Sequence, residues 1–146
     1  MIVWRIAKLH YAQSAEAMMS GDGARQAGGR WNSKGRRAVY AASTLSLAIL
    51  EVLVHVPTPR VLRDFRMLEI DVPDDAILDL DSNAMNAAQM LTAGDRFLID
   101  ETALALRVAS LVNPLEFNVV INPQHHEFSR VTWGSPRPFE LDSRLA

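Results

Sequence analysis

The sequence predicts an α+β domain in which short strands and helices alternate irregularly. Three observations carry this expectation. Apolar segments of strand length recur at 2–6, 37–43, 65–72, 108–112 and 117–123. Helical i, i+3, i+4 spacing lies between them, most strongly at 44–56. The intervals lack the regular strand–helix–strand spacing of a doubly wound sheet. The chain has 146 residues and 49% of them are hydrophobic, enough for a single domain of common size to bury a core.

The elements follow in order. In IVWRI, residues 2–6, Ile2, Trp4 and Ile6 point one way and Val3 and Arg5 the other, which reads as a strand. SAEAMMSG, residues 14–21, reads as a short helix with Ser14 as its N-cap and Gly21 as its stop. GDGARQAGGRWNSKGRR, residues 21–37, holds five of the seven glycines and four arginines and reads as a loop with special backbone demands. RAVYAAS, residues 37–43, is a short strand with Ala38 and Tyr40 on one face and Val39 and Ala41 on the other. Ser43 or Thr44 can cap the next helix, and Pro57 and Pro59 end it. FRMLEIDV, residues 65–72, alternates as a half-exposed strand, and DDAILDLDSNAM after it reads as an acidic connector. Helices are expected at 83–92 and 95–106, separated by Gly94. VASLV and FNVVINP, at 108–112 and 117–123, read as strands, and the tail from Trp133 as weak strand or coil.

Glu51 is the odd residue in this pattern. It stands inside TLSLAILEVLVHV, residues 44–56, which is otherwise almost wholly apolar. Leu45, Ala48, Ile49, Val52, Leu53 and Val56 form one stripe, and Leu47, Leu50 and Val54 cover most of the rest, so burial is expected. An ionised carboxylate is costly to bury unless it is partnered. Glu51 is therefore a structural pair, with His55 in i,i+4 reach, or a candidate catalytic group exposed in a cleft. Both readings stand at this point.

Several function classes are disfavoured. A net charge of −2 without a basic stripe or a helix-turn-helix argues against direct nucleic-acid binding. The absence of cysteine removes disulfides, thiolate catalysis and zinc–cysteine sites. No apolar run approaches the ~20 residues that span a bilayer. Arg5 and Lys8 interrupt the N-terminal apolar stretch, so no signal peptide is expected, and the expected setting is the cytoplasm. Gly21-x-Gly23 is followed by Gln26 where a dinucleotide fingerprint needs glycine, and no GKS or GKT is present. His10, His55, His125 and His126 lack metalloprotease spacing, and no metal is expected. His125, His126 and Glu127 read as a polar loop after Pro123. Ser110 has no nucleophile elbow around it and reads as a small core residue bonded to backbone.

Arg30, Tyr40 and Glu51 follow one another at short intervals. Arginine can clamp phosphate bidentately. Tyrosine can stack on a flat ring and donate a hydrogen bond. A carboxylate can stabilise positive charge developing on a sugar. The three suit cleavage of an N-glycosidic bond in an anionic nucleotide. Taken singly, Arg30 reads equally as a solvated loop residue and Tyr40 as a core aromatic.

Residues 21–55, GDGARQAGGRWNSKGRRAVYAASTLSLAILEVLVH, resemble the core of the RES domain, a family named for an arginine, a glutamate and a serine. Its GxGA, GGRWN, V-Y-A strand and A-x-x-E-x-L-x-H helix all stand here. LEIDVPDD resembles the family's middle strand, and LALRVASLV with FNVVINPQHHEF its closing segment. Ala109 replaces a usual proline, and His126 and Glu127 stand where proline and aspartate are usual.

The resemblance covers nearly the whole chain and implies a single RES domain over 1–146. It implies a fold like that of ADP-ribosyltransferases, a compact pair of packed sheets with flanking helices around an NAD cleft. It implies the toxin of a type II toxin–antitoxin module, paired with an Xre-type antitoxin that supplies any DNA contact. A homodimer within the complex is left open. NAD would be the substrate, cleaved at the nicotinamide–ribose bond by hydrolysis or phosphorolysis, with no cofactor. One branch of the family instead ADP-ribosylates a protein. Carried over by position, Arg30, Tyr40 and Glu51 are the active-site trio, Ser110 the family serine, and Arg5 an arginine facing the same cleft. Arg5 and Arg30 would anchor the dinucleotide, Tyr40 orient the nicotinamide ribose and Glu51 face the anomeric carbon. Ser110 would bond the nicotinamide amide or position Glu51.

Overall fold

The computed structural model describes residues 1–55 and 64–145. Its strands are β1 (Ile2–Lys8), β2 (Val39–Ala42), β3 (Phe65–Asp71), β4 (Ile77–Asp79), β5 (Ala105–Ala109), β6 (Phe117–Ile121), β7 (Thr132–Trp133) and β8 (Arg137–Phe139). Its helices are α1 (Ala15–Met18), α2 (Asp22–Ala27), α3 (Leu45–His55) and α4 (Ala87–Asp100). The strands join in the order β4-β5-β6-β2-β1-β3-β7, with β8 also on β3. Among the described strands only β4 and β5 run parallel. The expected α+β class is what the chain adopts.

The sheet is two halves with a thin seam. β1 and β3 pair over seven residues and β2 and β6 over four, but β1 and β2 share one register pair, Trp4 with Ala42. The pair of sheets implied by the resemblance is here one sheet, joined at that point. Strand alternation sorts the side chains as the sequence indicates. Val39, Ala41, Val119 and Ile121 enter one core with Val3 and Ala7, closed by Met18 and Met19. Ala38, Leu106, Val108 and Val120 face the opposite way, with Tyr40 beside them, onto Met90 and Phe97 of α4. Ala42 and Trp4 meet Leu47 and Ala48 of α3. Tyr40, Ala42 and Asn118 therefore share the face that α3 and α4 cover.

Four local expectations change. The glycine-rich segment contains α2, with Gly21 as its N-cap residue, rather than being loop throughout. Asp22 in its first turn accepts from Arg25 Nε at 2.9 Å, a local ion pair that supports the short helix. The acidic connector contains β4, which is drawn into order by pairing beside β5. α4 is one helix that runs through Gly94, opened by an Asn86–Gln89 capping box. It ends before Ala105, so the helix expected at 95–106 overruns into β5.

α3 is also less buried than its composition suggests. Leu47 and Ala48 are buried, whereas Leu50 is 41% and Val54 61% exposed. The reason is architectural, since one side of α3 packs on the sheet and no element of the described chain covers the other. Thr44 is its cap, accepting from the Leu47 N–H at 3.1 Å. Ser43 instead accepts from the Phe117 N–H at 3.2 Å. Val56, Pro57 and Pro59 lie outside the described residues. Among the described residues no helix is long and apolar enough to cross a membrane.

Candidate active site

Glu51 is held from across the fold rather than from its own helix. Its Oε1 accepts from Ser110 Oγ at 2.7 Å and from Asn118 Nδ2 at 2.9 Å. Among the described residues no cation lies within ion-pair distance of it, and His55 makes no bond to it. The structural pairing of Glu51 with His55 is thus replaced by two neutral donors. Glu51 comes from α3, Ser110 from just past the end of β5, and Asn118 from β6.

Ser110 is buried and fully engaged. Its hydroxyl donates to Glu51 and accepts from the N–H groups of Val112 and Asn113 at 3.1 and 3.2 Å. The turn after β5 therefore aims the serine at the glutamate, and its one proton is spent there. Of the two roles open to Ser110, the geometry contains the contact to Glu51.

Asn118 was not among the residues singled out in the sequence. Its signal is that it interrupts the apolar run of β6 on the face shared with Tyr40. A carboxylate can only accept, so the Asn118 amide must present its nitrogen to Glu51.

Arg5 sits at the seam. Its Nη1 donates to the Tyr40 carbonyl at 3.0 Å, where the β1–β2 ladder does not continue. Its Nε is sealed from solvent without a hydrogen-bond partner. No carboxylate among the described residues pairs with it, and burial pushes the guanidinium down to about 10. It remains a cation at neutral pH, and its charge is uncompensated.

The GGRWN segment is a tight turn fastened on three sides. The Gly29 N–H donates to the Asn32 carbonyl at 2.9 Å, which leaves Arg30 and Trp31 at the tip. Trp31 is buried and Arg30 is exposed. Tyr40 lies beneath, its hydroxyl accepting from the Trp31 N–H at 3.0 Å and donating to Asn32 Oδ1 at 2.7 Å. A Cβ at Gly29 would meet that hydroxyl at 2.7 Å, so the approach requires glycine. Burial raises the Tyr40 phenol to about 12, against the Trp31 N–H bond that favours its anion. The hydroxyl is thus neutral and committed to the turn.

From the far side α4 completes the fastening. Asp95 Oδ1 accepts from the Ser33 N–H at 2.8 Å, its other oxygen accepts from the Ser33 hydroxyl, and Arg36 lies 3.8 Å away. Asn32 Nδ2 donates to the carbonyls of Ala24 and Arg36 at 2.8 and 3.0 Å, tying the turn to α2 and to its own exit.

Two other features contain none of the five expected site residues. His125, His126 and Glu127 lie close enough for a shared ion, but His125 is already committed. Its Nδ1 accepts from the Glu127 N–H at 3.0 Å, so Nε2 carries the proton and donates to the Glu101 carbonyl at 2.8 Å. That bond holds the left-handed residue that ends α4. An open cavity of about 300 Å³ beside Met19, Arg37, Phe128 and Trp133 contains none of the five expected site residues.

The model of the RES domain matches residues 2–142. A protein of Photorhabdus laumondii named Toxin Res is 40% identical over 99% of this chain and 97% of its own. A Toxin Res of Yersinia enterocolitica is 35% identical over 99% of each chain. A Sphingobium protein named Prs ADP-ribosylating toxin is 31% identical over 97% of this chain and 94% of its own. The solved toxin–antitoxin complex MbcT–MbcA of M. tuberculosis contains a chain of similar fold. Its TM-score is 0.72, with 20% identity, over 99% of this chain and 85% of that one.

Proposed function

The chain belongs to the RES domain family, and from that premise we propose that it is the toxin of a toxin–antitoxin pair and cleaves the nicotinamide–ribose bond of NAD. The observation that carries the reading is the Glu51 carboxylate, fixed by Ser110 and Asn118 without a neutralising cation among the described residues. The charged nicotinamide ring is a good leaving group. As the bond from the anomeric carbon to the ring nitrogen breaks, its electron pair goes to nitrogen and neutral nicotinamide departs. Positive charge then grows on the ribose, and an oriented carboxylate stabilises it. Water adds at the anomeric carbon and loses a proton to give ADP-ribose; phosphate adding there would give its 1-phosphate. Arg5 and Arg30 take the diphosphate. The uncompensated charge of Arg5 and its unsatisfied Nε favour an anionic ligand.

A second reading transfers ADP-ribose to a protein, with a side chain of the target replacing water. The Sphingobium relative named for ADP-ribosylation favours it. The donor site would be the same in both cases.

The partner is an antitoxin, of Xre type by resemblance, that covers the site. The exposed Leu50, Val54, Leu111, Val112 and Leu115 stand within three residues of Glu51, Ser110 or Asn118 along the chain. Exposed apolar side chains in these segments suit a covering protein.

The test is nicotinamide release from NAD by wild type and Glu51→Gln, with and without phosphate, followed by a search for a mass gain on cellular protein. Release by wild type alone is expected, and phosphate dependence names the nucleophile. Equal release by Glu51→Gln would remove the glutamate from the chemistry. Protein modification in place of bulk release would select the transferase reading.

A further inference from the structure

We infer that Asn118 is a positioning residue that, with Ser110, pins one oxygen of Glu51 and leaves the other free for the substrate. The inference rests on the NAD-cleaving reading of the same site. Both donors go to Oε1, and Oε2 accepts no hydrogen bond among the described residues. The two oxygens therefore have different tasks. A glutamate side chain has several rotatable bonds, and fixing it costs rotamer entropy. Two donors, one on β6 and one in the turn just past β5, meet that cost during folding, so the carboxylate need not be ordered at each turnover. Both donors are neutral, so they orient the charge without cancelling it, which an arginine or lysine would do.

The placement of Asn118 suits that role. β6 pairs with β2 on one side and β5 on the other, and Asn118 lies opposite Ala42 and Val108. A residue on a strand bonded along both edges has little freedom, and its side-chain direction is set by the pleat. The same pleat puts Asn118 on the face of Tyr40, which holds the Arg30 turn. β2 and β6 thus tie the glutamate and the arginine turn to one rigid surface.

The test compares wild type with Asn118→Leu, which keeps the volume and removes the donor; Asn118→Ala serves if leucine disturbs the fold. Crystal structures of each variant should show the Glu51 carboxylate displaced or in two positions. In the kinetic arm kcat falls by about 10- to 100-fold while KM for NAD stays within about threefold, because orientation rather than binding is lost. A Glu51 carboxylate unmoved in the variant, or an unchanged kcat in a variant that melts cooperatively, would overturn the inference. Inactivity of wild type toward NAD, with no protein modified, would instead overturn the functional reading. The crystallographic arm still decides whether Asn118 places Glu51.

Discussion

Gly94 of α4 passes so close beneath Trp31 that a Cβ on it would lie 2.0 Å from the Trp31 carbonyl oxygen. No rotamer change relieves that contact, because the obstacle is backbone. The helix and the arginine turn are in register through one residue that lacks a side chain. In an exposed helix Gly→Ala would stabilise by about 1 kcal/mol. Here Gly94→Ala is expected to destabilise by about 1–3 kcal/mol, the range for overpacking. Urea denaturation gives the sign, and a gain in stability would mean that α4 can slide away from the turn.

Asp95 gives a second, chemical view of that contact. Asp95→Ala frees the Ser33 N–H and hydroxyl and loosens the turn that carries Arg30, without touching Glu51. The expected result is a rise of about tenfold in KM for NAD, about 1.4 kcal/mol, with kcat nearly kept. A fall in kcat at constant KM would show instead that the turn serves the chemical step.

Arg5 should trade stability for binding. Among the described residues no carboxylate pairs with it, and its one hydrogen bond is to the Tyr40 carbonyl. Arg5→Met removes the desolvation cost and keeps apolar volume, so thermal stability should hold or rise while NAD affinity falls. Calorimetric titration beside a thermal melt checks both. A clear loss of stability would assign Arg5 to the fold rather than to the ligand.

Tyr40 predicts an alkaline signature. Its phenol is raised from 10.0 to about 12 by burial, so between those values the folded state keeps a proton that the unfolded chain has lost. The tyrosine's contribution is fully present below pH 10 and is lost as pH rises toward 12. Below pH 10, Tyr40→Phe should cost about 1–3 kcal/mol, because the Trp31 N–H and Asn32 Oδ1 lose their partner. The gap between the two proteins should narrow from pH 10 to 12. Paired denaturation curves across that range test it, and a constant gap would mean that the hydroxyl is not the group responsible.

Much of the frame was readable from residues alone. The faces of β2 were legible because period-two alternation puts Val39 and Ala41 opposite Ala38 and Tyr40. Glu51 stood out because a carboxylate in an apolar helix demands an explanation. What misled was composition without context. Gly94 read as a break, and it is a point of close approach. α3 read as buried all round, yet Leu50 and Val54 are exposed. β4 was hidden because three residues flanked by aspartates carry little pattern until β5 lies beside them.

The sequence by itself determined the mixed α+β class and the absence of cysteine chemistry, and it marked Glu51 as a carboxylate that needs a partner. These follow from local periodicity and from residue types, which need no neighbours in space, whereas the expected set Arg5, Arg30, Tyr40, Glu51 and Ser110 came from the resemblance of its motifs to the RES family. Only the tertiary structure decided who partners whom. The donors of Glu51 are 59 and 67 residues away, and those pairings arise from strand register and from a turn after β5. Arg5 came to the seam because β1 and β2 share a single pair, and Arg30 was raised on a turn that Tyr40 and α4 hold from below. Such contacts are set by packing between distant segments, and no window along the chain encodes them.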